Sequence, residues 1–406
     1  MENYLFELAH LMFRYFHVVA GIAWIGASFY FVWLDNNLQT PPQHKQDIGI
    51  KGDLWAIHGG GFYEVAKYQN GPQKMPSTLH WFKWEAYTTW ISGTLLFTLL
   101  YYVGADVYLL DSSKSELSKF TAIAASLGFI ALGYIGYRLL CKSPLVEKGI
   151  AFSLVAISLL ALWTWGVDQL FSDRAVYIHV GALIGTCMAG NVYHIIMPGQ
   201  RYMVSEIEAG RIPDSAPGLK AKQCSVHNNY ATLPIIFIML SNHFPYTYSH
   251  DFGWLILIGL FIIGMWIRHF FNLKHQGVNK PSVLISGIAA FLILMLAIAP
   301  WPKNQQTTVA NTTASTDVVS VSDAQAWQII NTHCTECHSE APRSKIFQTA
   351  PLGFKLDSIE AAKKVNALIH TRAIITKDMP FANVTKMTDA ERDTLALWLA
   401  DVKKEK

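Results

Sequence analysis

The sequence predicts an all-α protein in two parts: an eight-helix transmembrane bundle and, after a tether, a small soluble helical domain. Three observations carry this. Eight apolar stretches are each long enough to cross a bilayer, which takes about 20 residues. Composition turns abruptly polar after Pro300-Trp301-Pro302. A single C-x-x-C-H motif, Cys334-Thr335-Glu336-Cys337-His338, lies beyond that turn. Of 406 residues, 51% are hydrophobic and 15% charged, against roughly 25% charged in soluble proteins. The net charge of +3 and the lack of a long basic run leave no reason to expect nucleic acid as a partner.

The spans are expected near 8–34, 82–103, 119–140, 149–170, 174–197, 226–245, 252–271 and 281–301. Trp33, Trp81, Trp84, Tyr101, Tyr102, Trp254 and Trp301 mark their ends, as interfacial aromatics do. The first stretch has no basic segment before it and reads as a retained helix. The connections after spans 1, 3, 5 and 7 carry most of the loop cations, Lys45, Arg138, Arg201 and Arg268 among them; those after spans 2, 4 and 6 carry Lys114, Lys119 and Arg174. The positive-inside rule then puts the first set in the cytoplasm and both termini outside.

Residues 1–302 form the expected membrane domain, 303–321 a flexible linker of small polar residues and 322–406 the soluble domain. Ser322-Asp323-Ala324-Gln325 and Thr388-Asp389-Ala390-Glu391 read as capping boxes that open helices, with Asp357-Ser358-Ile359-Glu360 a weaker third. Trp398, with Leu395 and Leu399, is expected to pack the last helix on the first. C-x-x-C-H is the attachment site of a c-type haem: Cys334 and Cys337 give thioethers and His338 the proximal iron ligand. No second C-x-x-C completes a zinc site. Helix, motif, helix, Met loop and final helix is the pattern of a class I cytochrome c. Such a group matures outside the cytoplasmic membrane, on the side where loop charge also places the C-terminus. Met379, 45 residues after Cys334, is favoured as the second axial ligand; Met387 is its competitor, at a staple position before a helix cap. Cys141, Cys187 and Cys224 read as packing residues.

Fifteen histidines are unusual in such a chain. Ionisable groups inside a bilayer are functional by default, and as a set these suggest metal or haem ligation in the bundle. His10, His17 and His179 lie toward the outside or deep in spans, with Arg14 beside the first two. His80, Glu85, His194, His227 and His269 lie toward the cytoplasm. His58-Gly59-Gly60-Gly61 either lets a backbone approach a ligand closely or forms a plain tight turn.

Trp55 through Tyr63, Leu79-His80-Trp81-Phe82-Lys83-Trp84-Glu85 through Gly93, and Ser225-Val226-His227-Asn228-Asn229-Tyr230 through His243 resemble the bacterial membrane-bound, cytochrome c-linked urate oxidases. The likeness covers nearly the whole chain. His17 through Gly26 is also similar to the first helix of membrane protoporphyrinogen oxidases and copper-resistance proteins. The urate oxidase resemblance implies an oxidoreductase of purine catabolism in the bacterial inner membrane, its cytochrome domain periplasmic. It would convert urate to 5-hydroxyisourate and pass electrons to the respiratory chain, through a downstream cytochrome c or terminal oxidase, without forming hydrogen peroxide.

A planar urate anion asks for cations, amides, an aromatic slot and a base. The resembling segments offer Lys83 or His80 for charge, Asn228 and Asn229 for amide pairing, Trp84 or Tyr63 for stacking with His58 nearby, and Glu85 or His227 for the proton. If urate binds at the cytoplasmic cluster, a second cofactor is needed to carry electrons across; haem b on His17, His179 and His194 is the expectation. The alternative function is a membrane cytochrome subunit that relays electrons from a partner dehydrogenase or quinol.

Overall fold

The computed structural model describes residues 2–111, 114–299, 321–344, 347 and 350–404. The expected tether, 303–321, falls almost entirely outside them. The chain is predominantly helical. The bundle runs through α1 (Glu2–Asn37), α2 (Trp84–Phe97, continued by a wider π turn Thr98–Val103), α3 (Lys119–Lys142) and α4 (Gly149–Asp168). It continues through α5 (Asp173–Asn191, extended by Val192–Ile196 and Met197–Glu208), α6 (Ala216–Leu240), α7 (Gly253–His275) and α8 (Pro281–Ala297). Five of these segments, Leu8–Asn37, Lys119–Lys142, Gly149–Asp168, Asp173–Glu208 and Gly253–His275, are long and apolar enough to cross a membrane, and α8 is a shorter apolar helix. Leu11, Phe120, Leu132, Ile150, Leu162 and Ile293 stand exposed on the outside of the bundle, as lipid-facing side chains would.

Local chemistry sets the helix ends. Ser118 and Ser172 accept hydrogen bonds from the backbone N–H groups of Thr121 and Ala175, capping α3 and α5. Pro198 lacks an N–H, and its ring crowds the carbonyl four residues back; α5 widens to π geometry over Val192–Ile196, the turn that contains that carbonyl. Pro234 inside α6 is accommodated by Gly264 of α7, where a Cβ would meet the proline ring at 3.1 Å. A small residue at a helix crossing is the usual device for close packing in a membrane.

The structure amends the all-α expectation. A two-stranded antiparallel hairpin, β1 (Ile50–His58) and β2 (Gly61–Tyr68), occupies the first connection. Gly59 and Gly60, at φ 59° and 81°, make its two-residue turn, which needs positive φ at both centres. The three-glycine segment thus forms a tight turn. A second correction concerns Arg268, which sequence reading assigns to the connection after span 7. It lies inside α7, two turns from the helix end.

The C-terminal segment holds α9 (Asp323–His333), α10 (Ile359–Lys364) and α11 (Asp389–Lys404). Ser322 and Gln325 form the expected capping box, and Ser358 accepts from the Ala361 N–H. Trp398, Leu395 and Leu399 pack on Ala326 and Ile330 of α9, and Trp398 Nε1 donates to Asp323 at 2.8 Å. At α11, Glu391 accepts from the Thr388 N–H and hydroxyl, both at 2.7 Å, and its own N–H donates to the Thr388 hydroxyl at 3.2 Å.

Those bonds from Thr388 hold Glu391 down from the usual 4.5 to about 2. A depressed carboxylate stabilises the fold above its unfolded pKa, and the contribution is lost as pH falls through its folded value. Hydrogen exchange on α11 is expected to accelerate between about pH 4.5 and pH 2. Thr388→Ala should lower the opening free energy of α11 by about 1 kcal/mol at neutral pH and flatten that acid dependence.

Candidate functional site

Residues 227, 228 and 229 of α6 are successive, so each faces a different neighbour. His227 Nδ1 is 3.1 Å from the Tyr137 hydroxyl of α3, and its ring stacks on Phe152 of α4 at 4.8 Å. Asn228 faces α5: Asn191 Nδ2 donates to its Oδ1 at 2.9 Å, and its own Nδ2 donates to the Met188 carbonyl at 3.1 Å. Asn191 Nδ2 also donates to the Tyr137 hydroxyl at 2.8 Å. Both ends of the Asn228 amide are thus used in tying α5 to α6. Asn229 faces α7, where Arg268 Nε donates to its Oδ1 at 2.9 Å. Its Nδ2 is buried without a partner.

The other substrate candidates divide. His80 and His58 are exposed, Tyr63 and Trp84 are 54% and 62% exposed, and Lys83 Nζ lies over the Trp84 ring at 5.8 Å. These residues ring the hairpin end of the bundle. Glu85 differs: it sits in the first turn of α2 with Oε2 buried and unpartnered.

The three histidines considered for haem b lie in different settings. His179 is fully buried with both ring nitrogens bonded, Nδ1 to the Ala175 carbonyl and Nε2 to the Ser126 hydroxyl, each at 2.7 Å. It does not fit an iron ligand in this arrangement. His194 is 15 residues further along the same segment, roughly 22 Å away at helical rise, and its ring lies beside Tyr134 and Tyr193. His17 alone is built like an oriented ligand. Its Nδ1 donates to the Thr89 carbonyl at 3.0 Å, leaving Nε2 open. Its ring rests on Gly93, where a Cβ would come within 2.8 Å of the imidazole. Among the described residues no three His, Cys, Asp or Glu side chains gather as a metal site.

The C-terminal motif fits a covalent haem. Cys334 and Cys337 are free thiols at the end of α9. His338 Nδ1 donates to the Phe354 carbonyl at 3.1 Å, which leaves Nε2 as the ligating atom. Burial holds His338 below the ordinary histidine range, so it stays neutral, the form that ligates iron. The two methionines are in different settings. Met387 is buried in the small core, with its backbone N–H and carbonyl both bonded to the Asn383 side chain. Met379 is half-buried on a loop held from both sides: Arg392 Nη1 donates to its carbonyl at 2.8 Å, and its N–H donates to the Arg372 carbonyl at 3.1 Å. Arg372 also pairs with Asp378 at 2.7 Å. Sequence reading did not single out Arg392, a cation on the core-facing side of α11.

Replacing Cys334 and Cys337 with Ser should abolish covalent haem staining on a denaturing gel. Met379→Leu should remove the Met–iron charge-transfer band and lower the reduction potential, while Met387→Leu keeps the band and lowers only the melting temperature.

Tyr137, Asn191, Arg268 and Asn272 are the bundle residues that sequence reading missed. Their signal was faint: a lone polar side chain on an apolar helix face, with Arg268 and Asn272 one turn apart. A comparison with protein families matches the urate oxidase N-terminal model over residues 3–299. No curated relative and no solved structure matches the chain. The match takes in every helix of the bundle and the hairpin, and the chain belongs to the urate oxidase N-terminal family.

Proposed function

We propose that this chain is a membrane-bound urate oxidase whose electrons leave through its own C-terminal c-type cytochrome domain. The eight helical segments would all cross the bacterial inner membrane, with the hairpin cytoplasmic and the C-terminal domain periplasmic. The observation that carries this reading is that one chain joins the family match over 3–299 to a C-terminal segment with the C-x-x-C-H motif, whose Phe381 packs on the bundle. Phe381, two residues after Met379, packs edge-on against Tyr108 at 5.4 Å. The Arg174 guanidinium lies over both rings, at 5.3 and 5.5 Å, and its Nε donates to Asn242 at 2.8 Å. This contact packs the loop of the proposed iron ligand against the end of the bundle opposite the hairpin, so a urate site at the hairpin end would need a second carrier between them, for which His17 is the oriented candidate ligand.

The reaction adds the oxygen of water to urate and releases two protons and two electrons, giving 5-hydroxyisourate. A haem c held by Cys334, Cys337, His338 and Met379 would supply one-electron acceptance, so each urate needs two transfers and dioxygen is not consumed at the site. The protein must take up the protons. Glu85, with its buried unpartnered oxygen at the hairpin end, is the best-placed base, and His227 is already engaged with Tyr137.

Urate added anaerobically to the oxidised, purified protein should bring up the reduced c-haem α-band with no peroxide. An α-band that appears only with dithionite would remove this reading. Glu85→Gln should lower kcat by about 10²- to 10⁴-fold, the range for losing a general base. Phe381→Ala should slow haem reduction by urate while leaving its reduction by ascorbate unchanged.

A further inference from the structure

Arg268 has no carboxylate to pair with among the described residues. It is 4% exposed, inside a helix long and apolar enough to cross a membrane. Its Nε donates to Asn229, Phe29 of α1 covers its guanidinium at 4.1 Å, and Nη2 is buried with no partner. Two more unpartnered polar atoms come from side chains bonded to it or one helical turn away: Asn229 Nδ2, on a fully buried residue, and Asn272 Oδ1, on a residue 8% exposed. A buried charge left alone costs several kcal/mol, and membrane proteins keep such groups at functional sites. Three unsatisfied groups at one helix crossing, two donors and one acceptor, describe the complement of a missing ligand.

We propose that Arg268, Asn229 and Asn272 form the binding site for a planar heterocyclic anion of the urate type. The guanidinium supplies the countercharge. With Phe29 on its face, it offers the in-plane N–H edge, which suits a flat ligand met edge to edge. Nη2 and Asn229 Nδ2 donate to ring carbonyl or anionic oxygens, and Asn272 Oδ1 accepts a ring N–H. A halide offers that acceptor nothing. The site also lies at the level of Glu85. Phe31, two residues after Phe29 on α1, packs edge-on against Phe82 at 4.7 Å, three residues before Glu85. The choice of urate as ligand rests on the function proposed above; the anion site does not.

The test is the melting temperature and equilibrium dialysis of full-length protein in detergent, without oxygen, with and without urate. Two variants are used. Arg268→Met removes the charge, and Asn229→Asp places a carboxylate against the guanidinium and satisfies it from within. Urate should raise the melting temperature of the wild type but of neither variant, and its affinity should fall on the order of 10- to 100-fold or more, the loss of a charged hydrogen bond. Ligand-free Arg268→Met should melt no lower than the wild type, whereas a cation serving only as a structural strut would make it melt lower. Equal protection of wild type and variants overturns the site and leaves the proposed enzyme standing. If urate neither protects nor reduces the wild type, the enzyme reading fails and orotate, another planar anion, decides the site. Protection of the wild type alone keeps it, and protection of none overturns it. If Arg268→Met does not fold, Asn229→Asp gives the same decision.

Discussion

Polar groups placed among apolar helices have no water to bond, and each must find its partner on a neighbouring helix. That constraint organises the bundle. Tyr137, Asn191, His227 and Asn228 bond one another and so link α3, α5 and α6. The fully buried His179 uses its two nitrogens on Ser126 and on its own helix. Where the rule holds, the side chains are struts. Where it is broken, polar atoms stay unsatisfied at a cost in stability: Asn191 Oδ1, the Tyr134 hydroxyl and Glu85 Oε2 singly, and Arg268, Asn229 and Asn272 as a group, and that group is where a ligand is to be sought.

The unsatisfied set and the haem motif belong to opposite ends of the bundle. Arg268 lies 15 residues along α7 from Gly253, roughly 22 Å at helical rise, and Gly253 is at the end where Phe381 meets Tyr108 and Arg174. Tyr177 reinforces that end: its hydroxyl donates to the carbonyls of Thr247 and Gly253, tying α5 to the start of α7. The Arg174 stack is built differently from the Arg268 pocket. One guanidinium is shared between aromatic rings of two parts of the chain, while the other is shut inside the bundle.

Much of the fold was legible in the sequence. Apolar length located the helices, and the capping boxes at Ser322 and Thr388 located two helix starts in the small domain, because caps are local hydrogen bonds among residues three apart. The hairpin was missed: its pairing of His58 with Gly61 depends on a two-glycine turn that also reads as a ligand loop. Arg268 falls inside the expected span 252–271 and was nonetheless counted with the cations of the connection after it, because a basic residue near a span end also reads as loop charge.

By itself the sequence determined the helical character, the C-x-x-C-H motif with His338, and the family likeness along α2 and α6, since each is a matter of residue type and spacing along one segment. Only the tertiary structure decided which polar residues are struts and which are left open. That distinction separates Asn228 from Asn229 and His179 from His17. It turns on what the facing helix presents within hydrogen-bond reach, and helix packing brings together residues far apart in the chain.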